Sequence, residues 1–373
     1  MSDEVKQRKA EHVSVTLRHD VSVPQAAAWS DVHLVHRALP EVDAEEIDTS
    51  ADLLGHRLQH PLVISSLTGG HPDVAVINAR LAALAEAYGL AMGVGSQRAA
   101  IETPELAETY AVVRQHAPSA FVLANIGAPQ LIVQRRHRAF AVADARAAID
   151  MIAADALIVH LNYLQEAAQP EGDRRARGVL AALQQLTAAL TTPVVAKETG
   201  AGISFEQAHA LVAAGVSAID VGGAGGSSMA AMEAYRARDR GDSSTAAIGE
   251  LFRDWGIPTP IALVETRAEA PQLPVIATGG IRSGLDAARA LALGATVVAI
   301  GQPFLKAASE GEAPLRAFLD QFLLELRVAM QLAGAATIAD LGRAPVVVGG
   351  ETRAWLELRG FEATLRTLAR RGR

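Results

Sequence analysis

Short apolar runs alternate with longer helix-like stretches along most of the chain. The apolar runs cover residues 62–67, 90–94, 121–126, 156–161, 194–197, 218–221, 275–278 and 296–300. Runs this short and this apolar are typical of buried parallel strands. Helical periodicity fills the gaps between them, for example at residues 77–88, 144–155, 178–190, 205–214 and 285–293. The pattern therefore predicts strands that alternate with helices.

Eight strand–helix units over about 250 residues match an α/β fold, the (β/α)8 TIM barrel. A doubly wound sheet is the alternative, but it normally has fewer consecutive parallel strands and a single glycine-rich first turn. We expect residues 1–60 to form an N-terminal arm of short helices and extended pieces. Residues 61–350 would form the barrel, with an amphipathic helix at 317–333, and residues 351–373 a charged helical tail.

Polar or glycine residues follow every predicted strand, which a barrel built only for stability would not require. The richest group is the stretch from His160 to Glu166, after the fourth strand. Alternation places Ile158, His160 and Asn162 on one side of that strand. A strand-end histidine or asparagine is often a satisfied core group, but the active sites of such barrels lie at this end of the strands. The stretch is therefore a candidate active-site segment.

Residues 235–244, with the sequence YRARDRGDSS, interrupt the apolar rhythm after the sixth strand. We interpret them as a long loop. Two roles stay open for this loop: a mobile lid over the barrel, or an inert surface segment.

The composition narrows the class of protein. Half of the residues are apolar, the formal net charge is −7, and cysteine is absent. The acidic balance argues against nucleic acid as a partner, and the missing cysteine excludes disulfides, thiolate metal sites and a cysteine nucleophile. The first residues are polar and no apolar run reaches about 18 residues, so we expect neither a signal peptide nor a membrane span. A cytoplasmic enzyme or binding protein is expected.

Glycine-rich turns after the seventh and eighth strands predict a phosphate site, because their backbone N–H groups can point at an anion. Gly279, Gly280 and Gly301 supply these turns, and Arg282 can add a charge-assisted contact. The turn that contains Ser227, after the sixth strand, can enlarge the same cradle.

Lys197 ends a buried strand, where an unpaired ammonium group would be costly. The negative edge of a reduced flavin would be a suitable partner, with Thr68, Ser96 and Asn125 hydrogen-bonded to the ring. A salt bridge from Lys197 to Glu198 or Glu166 is the alternative. Together with the phosphate site, these residues suggest FMN as the cofactor.

Nine segments of the chain resemble the type 2 isopentenyl-diphosphate isomerase family, the flavin-dependent isomerases of isoprenoid biosynthesis. The likeness covers nearly the whole chain and rests on RKAEH (8–12), LPE (39–41), PLVISSLTGG (61–70), GSQR (95–98), HLNYLQE (160–166), KETGAG (197–202), GGAGGSS (222–228), WGIPT (255–259) and ATGGIRSG (277–284). The sequence departs from the family at Leu67, where methionine is usual, at Ser227, where threonine is usual, and at Met229, where an aromatic residue is common.

The resemblance implies the conversion of isopentenyl diphosphate to dimethylallyl diphosphate, with FMN, Mg²⁺ and NADPH as the reductant of FMN. It implies a homotetramer or homo-octamer. The residues it assigns to FMN are Leu67, Thr68, Gly69, Ser96, Asn125, Lys197, Ser227, Gly279, Gly280, Arg282, Gly301 and Gln302. Those it assigns to the substrate are Arg8, Lys9, Ser96, Gln97, Arg98, His160, Asn162 and Gln165. The arm that carries Arg8 would then fold over the barrel mouth of its own or of a neighbouring subunit.

Glu166 is the expected metal ligand. Its carboxylate would repel the diphosphate at close range unless a divalent ion lay between them, and Mg²⁺ commonly binds one or two carboxylates together with phosphate oxygens and water. Other isopentenyl-diphosphate isomerases use a cysteine as acid or base, which this chain lacks. Reduced FMN is then the candidate acid and base, and Gln165 the residue that orients the alkene or relays a proton.

Two rival functions are weighed against this one. An FMN-dependent 2-hydroxy-acid oxidase or dehydrogenase would need a histidine base and a pair of arginines for the carboxylate, and would leave Gln165 and Glu166 without a role. A flavin-binding protein without catalytic activity would leave the whole set of diphosphate ligands unexplained.

Overall fold

The computed structural model describes residues 11, 14–16, 18–23, 28–71 and 74–372. The strands are β1 (Val32–Leu34), β2 (Ala51–Leu53), β3 (His56–Leu58), β4 (Leu62–Ile64), β5 (Ala91–Gly93), β6 (Phe121–Gly127), β7 (Ala156–Leu161), β8 (Val194–Glu198), β9 (Ala218–Asp220), β10 (Val275–Thr278), β11 (Val297–Ile300) and β12 (Val346–Val348). Strands β4 to β11 form a closed parallel barrel in chain order, and β11 pairs with β4 to close it. The predicted (β/α)8 barrel is confirmed.

Helices connect the barrel strands and surround them. They are α1 (Ala75–Tyr88), α2 (Arg98–Glu102), α3 (Glu108–His116), α4 (Val142–Met151), α5 (Tyr163–Ala168), α6 (Val179–Ala189), α7 (Phe205–Ala213), α8 (Met229–Asp239), α9 (Ser243–Leu251), α10 (Thr259–Glu269), α11 (Gly284–Leu293), α12 (Gln302–Glu310), α13 (Glu312–Ala333), α14 (Ile338–Leu341), α15 (Gly350–Leu358) and α16 (Glu362–Arg370). Short 3₁₀ helices lie at Trp29–Asp31, Ala44–Glu46, Pro104–Leu106 and Ala128–Leu131.

Alternation along the strands divides the apolar core in two. Leu123 and Ile158 face the barrel interior and pack with one buried cluster. Their neighbours Val122 and Val159 belong to the larger cluster that packs against the helices. Because both faces of each strand are covered, the strands are apolar throughout, which is why the sequence shows continuous runs rather than strict alternation.

An antiparallel hairpin of β2 and β3 packs against the N-terminal end of the barrel. Its Leu53 and Leu58 join the interior cluster. The ring of His56 lies 5.4 Å from the ring of Phe121, the first residue of β6. This hairpin therefore covers the barrel at the N-terminal ends of its strands. The polar residues gather at the other side, at the C-terminal ends.

Strand β1 and the C-terminal segment meet on one side of the barrel. Strand β1 pairs antiparallel with β12 through Val32 and Val348. The predicted helical tail is present as α15 and α16, and the Asp31 carboxylate accepts hydrogen bonds from the Thr352 N–H (3.0 Å) and hydroxyl (2.8 Å) at the start of α15. Where the arm and tail divide from the barrel stays a prediction.

Residues 235–244 do not form the expected long loop. Residues 235–239 complete α8, and α9 begins at Ser243. The charges that suggested a loop are used in ion pairs: Arg236, with 3% of its side chain exposed, contacts the carboxylates of Glu233, Glu11 and Glu171. The Asp242 side chain accepts the Thr245 N–H at 3.0 Å and caps α9.

Candidate functional site

A cavity of about 300 Å³ opens at the C-terminal ends of the barrel strands. This volume is typical of small-molecule sites. The structure places most of the predicted site residues on its lining: Leu67, Thr68, Gly69, Ser96, Arg98, Asn125, His160, Asn162, Gln165, Glu166, Lys197, Ser227, Gly279, Gly280, Arg282, Gly301 and Gln302. Arg8 and Lys9 lie outside the described residues.

Gln97 does not line this cavity. Its side chain is fully buried, its amide donates to the Ala148 carbonyl (2.8 Å), and its Oε1 accepts the Asn125 N–H (2.8 Å). The donor and the acceptor of the Gln97 side-chain amide are thus both hydrogen-bonded to backbone groups. The expected contact between Gln97 and a substrate is corrected: Gln97 instead holds β6 in position behind the cavity wall.

Asn125 and His160 lie side by side on the wall formed by β6 and β7. The Asn125 amide donates to the Val94 carbonyl at 3.0 Å, which directs its Oδ1 towards the imidazole. His160 Nδ1 lies 2.8 Å from this oxygen and therefore carries the proton. A Cβ on Gly127 would collide with Gln130 Oε1 and lie 2.9 Å from His160 Nε2, so glycine at this position leaves room for both side chains.

Asn162 and Glu166 are joined across the first turn of α5. The Asn162 amide donates to Glu166 Oε1 at 3.0 Å, and the Asp173 N–H donates to Glu166 Oε2 at 2.7 Å. The Asn162 Oδ1 is buried and accepts no hydrogen bond within the described chain. The carboxylate, 5% exposed, is thus fixed at the cavity wall. Among the residues that the structure describes, no three His, Asp or Glu side chains gather in a metal-binding cluster.

Arg98 lies near Glu166 and is held by two carboxylates. It lies 2.7 Å from Asp173 Oδ2 and 3.1 Å from Glu102 Oε1. Only 8% of its side chain is exposed. The Asp173 residue that holds Arg98 also donates its N–H to Glu166, so Arg98 and Glu166 are fixed through one shared residue.

Gln165 is oriented by a carboxylate that the sequence did not suggest. The Gln165 amide donates to Glu233 Oε1 at 2.9 Å, and the Gln169 amide donates to the same oxygen at 2.8 Å. Glu233, on α8, is 1% exposed and forms an ion pair with Arg236 through its other oxygen. A carboxylate accepts only, so it fixes the Nε2 of each amide towards itself. Residues 229–239 gave no sequence signal for this role beyond an acid in an alanine-rich stretch.

Lys197 pairs with neither of its expected protein partners. Its Nζ lies 2.8 Å from Asp220 Oδ2 on the neighbouring strand β9, and both side chains are buried. The alternative considered from the sequence, a salt bridge from Lys197 to Glu198 or Glu166, is wrong. Because this pair neutralises the ammonium group, burial of Lys197 alone does not require a bound anion. An aspartate inside an apolar strand run was the signal that could have revealed this partner.

Glu198 points away from Lys197 into a turn of backbone N–H groups. Its Oε2 accepts from Gly200 (2.6 Å), Ala201 (2.5 Å) and Gly202 (3.2 Å). Burial raises the pKa of Glu198 from 4.5 to about 7, against the lowering effect of these hydrogen bonds. The folded protein therefore binds this proton more tightly than the unfolded chain.

This raised pKa predicts a pH dependence of stability. Between pH 4.5 and about 7 the folded state holds a proton at Glu198 that the unfolded state loses, so the contribution of this group to the unfolding free energy falls as the pH rises. Urea unfolding of the FMN-bound protein across this range is expected to give a less negative slope for Glu198→Gln than for the unaltered protein. Equal slopes would contradict the raised pKa.

Three hydroxyl groups line the cavity floor and differ in their hydrogen bonding. Thr68 donates its hydroxyl proton to Asn78 Oδ1, whose amide donates in turn to the Thr109 carbonyl at 3.0 Å. The predicted hydrogen bond between Thr68 and a flavin is still available, but in it the Thr68 hydroxyl can only accept. Ser66 and Thr278, which the sequence did not suggest, have buried hydroxyls without a partner in the described chain. Such orphaned groups are expected where a ligand binds.

The glycine turns predicted to bind phosphate lie together. Gly279 and Gly280 follow β10 with φ of 122° and 69°, conformations that favour glycine. A Cβ on Gly226 would lie 3.0 Å from the Gly280 nitrogen, so the two turns approach as closely as glycine allows. Arg282 is exposed beside them, and Gly301 caps α12 at the cavity edge.

Described residues of the arm lie over the same mouth. Val23 donates its N–H to the Gly226 carbonyl at 3.0 Å, and Ser228 donates to the Val21 carbonyl at 2.7 Å. Thr16 contributes to the cavity lining. The arm segment of this chain thus reaches its own barrel mouth.

Comparison with known proteins gives two kinds of likeness. The family model for FMN-dependent dehydrogenases matches residues 166–348. Isopentenyl-diphosphate delta-isomerase of Methanosarcina barkeri is 50% identical over 362 residues, which cover 97% of each chain. The enzyme of the same name from Methanothermobacter thermautotrophicus is 47% identical over 358 residues, and that from Archaeoglobus fulgidus 47% identical over 353 residues, with at least 95% of each chain covered.

Solved structures with this architecture include two oxidases. A lactate oxidase of Pediococcus acidilactici superposes with a TM-score of 0.64 at 17% identity and covers 93% of this chain and 94% of its own. Mandelate oxidase with 3,3-difluoro-2-hydroxy-3-phenylpropionic acid gives a TM-score of 0.60 at 20% identity, covering 94% and 98%. At these identities the likeness concerns the fold alone.

Proposed function

Because the chain belongs to the isopentenyl-diphosphate delta-isomerase family, we propose that its cavity isomerises isopentenyl diphosphate to dimethylallyl diphosphate with FMN held beside a Mg²⁺-bound substrate. The chain is an isomerase, and FMN is its cofactor. The observation that carries the proposed arrangement is the single cavity that gathers His160, Asn162, Gln165 and Glu166 with the glycine turns after β9, β10 and β11.

The residues around the glycine turns fit FMN. Buried orphan hydroxyls at Ser66 and Thr278 offer hydrogen bonds to a polar ring, and the close approach of Gly226 and Gly280 leaves backbone N–H groups for the phosphate. Lys197 would bind the negative edge of the reduced ring while Asp220 holds its ammonium group in place. When bound and reduced, FMN supplies an acid–base group at its N5 atom.

The opposite wall suits a diphosphate and one Mg²⁺ ion. Glu166 supplies a single fixed carboxylate. This suits Mg²⁺, which usually binds few protein ligands and completes its octahedral coordination with phosphate and water oxygens. His160, Asn162, Ser96 and Arg98 would contact the diphosphate. Arg8 and Lys9 are proposed to join them on the sequence resemblance alone.

Gln165 would lie between these two halves of the site. Its amide is fixed by Glu233, so it can hold the alkene in one orientation without titrating itself. Fixing the reacting carbons beside the proton-transfer group is the main contribution that a neutral side chain can make to such a reaction. Gln165 is therefore the proposed catalytic residue of this chain.

NADPH is proposed as the source of reducing equivalents for FMN. Assembly into a homotetramer or homo-octamer stays a prediction from the sequence, as does the cytoplasmic location. No helix in the described ranges is long and apolar enough to cross a lipid bilayer. The net charge of −7 argues against nucleic acid as a partner.

The proposed activity can be tested on the purified protein. Flavin absorbance is expected after aerobic purification, and dithionite-reduced protein with Mg²⁺ is expected to convert isopentenyl diphosphate to dimethylallyl diphosphate without net oxidation. Removal of Mg²⁺ with a chelator should abolish turnover and leave the flavin spectrum in place. Stopped-flow oxidation of a 2-hydroxy acid with net flavin reduction, in place of isomerisation, would contradict the proposal.

A further inference from the structure

The segment 255–259 has no role in the site described so far, although it runs beside the glycine turns. Thr259 begins α10 and is fully buried. Its hydroxyl lies 2.9 Å from the Gly279 carbonyl oxygen, closer than to those of Ala224 (3.3 Å) and Thr278 (3.4 Å). A hydroxyl has one proton, so the Gly279 carbonyl is its best acceptor.

The backbone of this segment also ties down the turn after β9. The Thr259 N–H donates to the Ala224 carbonyl at 3.2 Å, and the Ala224 N–H donates to the Ile257 carbonyl at 2.9 Å. Thr259 therefore connects two turns, one after β9 and one after β10. Both turns contribute residues to the proposed phosphate cradle.

A second donor reaches the same carbonyl from the arm. The Trp29 indole Nε1–H donates to the Gly279 carbonyl oxygen at 3.3 Å, and Trp29 is 4% exposed. The oxygen thus accepts from Thr259 and from Trp29. Two donors on one carbonyl restrict rotation of its peptide plane.

The orientation of that plane decides where the next N–H group points. The Gly279 carbonyl and the Gly280 N–H belong to one trans peptide, so they point in opposite directions. With the oxygen held by Thr259 and Trp29, the N–H is directed away from both. The Gly280 nitrogen lies 3.0 Å from the position of a Cβ on Gly226, and both glycines line the cavity, so this nitrogen borders the gap between the two turns.

We propose that Thr259 and Trp29 are positioning residues for the FMN phosphate. They do not touch the phosphate; they hold the Gly279 carbonyl so that the Gly280 N–H donates to a phosphate oxygen. The inference rests on the proposed function, because it requires FMN in this cavity. It concerns the phosphate alone, so the isoalloxazine ring should bind independently of Thr259.

Comparing FMN with riboflavin, which lacks the phosphate, separates this role from a general structural one. Thr259→Val keeps the shape of the side chain and removes the donor, whereas Thr259→Ser keeps the donor. Flavin dissociation constants of the deflavinated full chain can be measured from the quenching of flavin fluorescence. Thr259→Val is expected to weaken FMN binding about tenfold, the effect of one lost charge-assisted hydrogen bond, while riboflavin binding changes less than about twofold.

Thr259→Ser is expected to restore most of the FMN affinity, and Trp29→Phe to weaken FMN binding in the same selective way. Equal losses for FMN and riboflavin, or no loss with either flavin, would overturn the inference. If Thr259→Val does not fold, the Trp29→Phe result decides between these outcomes. Failure of the unaltered protein to bind any flavin would instead overturn the proposed function together with the inference.

Discussion

Replacing Gln165 with alanine is expected to reduce turnover of isopentenyl diphosphate by about 100- to 1,000-fold, the usual range for losing a group that assists proton transfer. The amide that Glu233 fixes at 2.9 Å would be gone, and the alkene could then adopt unproductive orientations. Flavin content should be unchanged, because Gln165 is not among the residues proposed to bind FMN. Single-turnover rates of the reduced protein at saturating substrate and Mg²⁺ measure the effect.

Gln169→Ala is the matched control for this prediction. Gln169 donates to the same Glu233 oxygen at 2.8 Å, one turn further along the chain. Its removal disturbs Glu233 to a similar extent but leaves the Gln165 amide in place, so a loss below about tenfold is expected. Equal losses in the two variants would assign the effect to Glu233 rather than to Gln165.

Glu166→Gln should have the second large effect, on the requirement for Mg²⁺. The amide is nearly isosteric and can still accept the Asp173 N–H, but it carries no charge to balance the ion. We expect kcat/KM to fall about 100-fold at low Mg²⁺ and to recover in part at high Mg²⁺, since a higher Mg²⁺ concentration offsets the weaker binding of the ion. Activity titrated against Mg²⁺, with flavin absorbance measured in parallel, tests this.

Glu250→Gln removes a carboxylate of the same type at a distance from the cavity, where it pairs with Arg238 and Arg253. Its Mg²⁺ titration should match that of the unaltered protein. A Glu166→Gln titration that matched as well would remove Glu166 from the proposed metal site.

The barrel could be predicted because its physical cause is local in the sequence. Strands covered on both faces must be apolar throughout, so each appears as a short run, for example the residues of β7 and β10. Parallel strands also bring all their C-terminal ends to one side, which explains why residues as distant in sequence as Thr68 and Gln302 line one cavity.

The ion-pair and hydrogen-bond partners of individual side chains could not be predicted in the same way, because they depend on strand register and on side-chain rotamers. Lys197 lies opposite Asp220 only in the observed pairing of β8 and β9, and a shift of one residue would separate them. Gln97 shares a motif with Arg98, yet the two side chains point to opposite sides of the cavity wall. The arginines of α8 resembled a solvated loop because charge in a sequence does not reveal whether a carboxylate covers it.

The β2–β3 hairpin has a consequence for the order of events during turnover. Leu53 and Leu58 seal the far end of the barrel, so within the described ranges ligands enter and leave by the strand-end mouth alone. We expect FMN, with its ring at the cavity floor beside Ser66 and Thr278, to bind before isopentenyl diphosphate and to leave after it. Saturating isopentenyl diphosphate should therefore slow the exchange of bound FMN for free FMN, because the bound substrate blocks the way out.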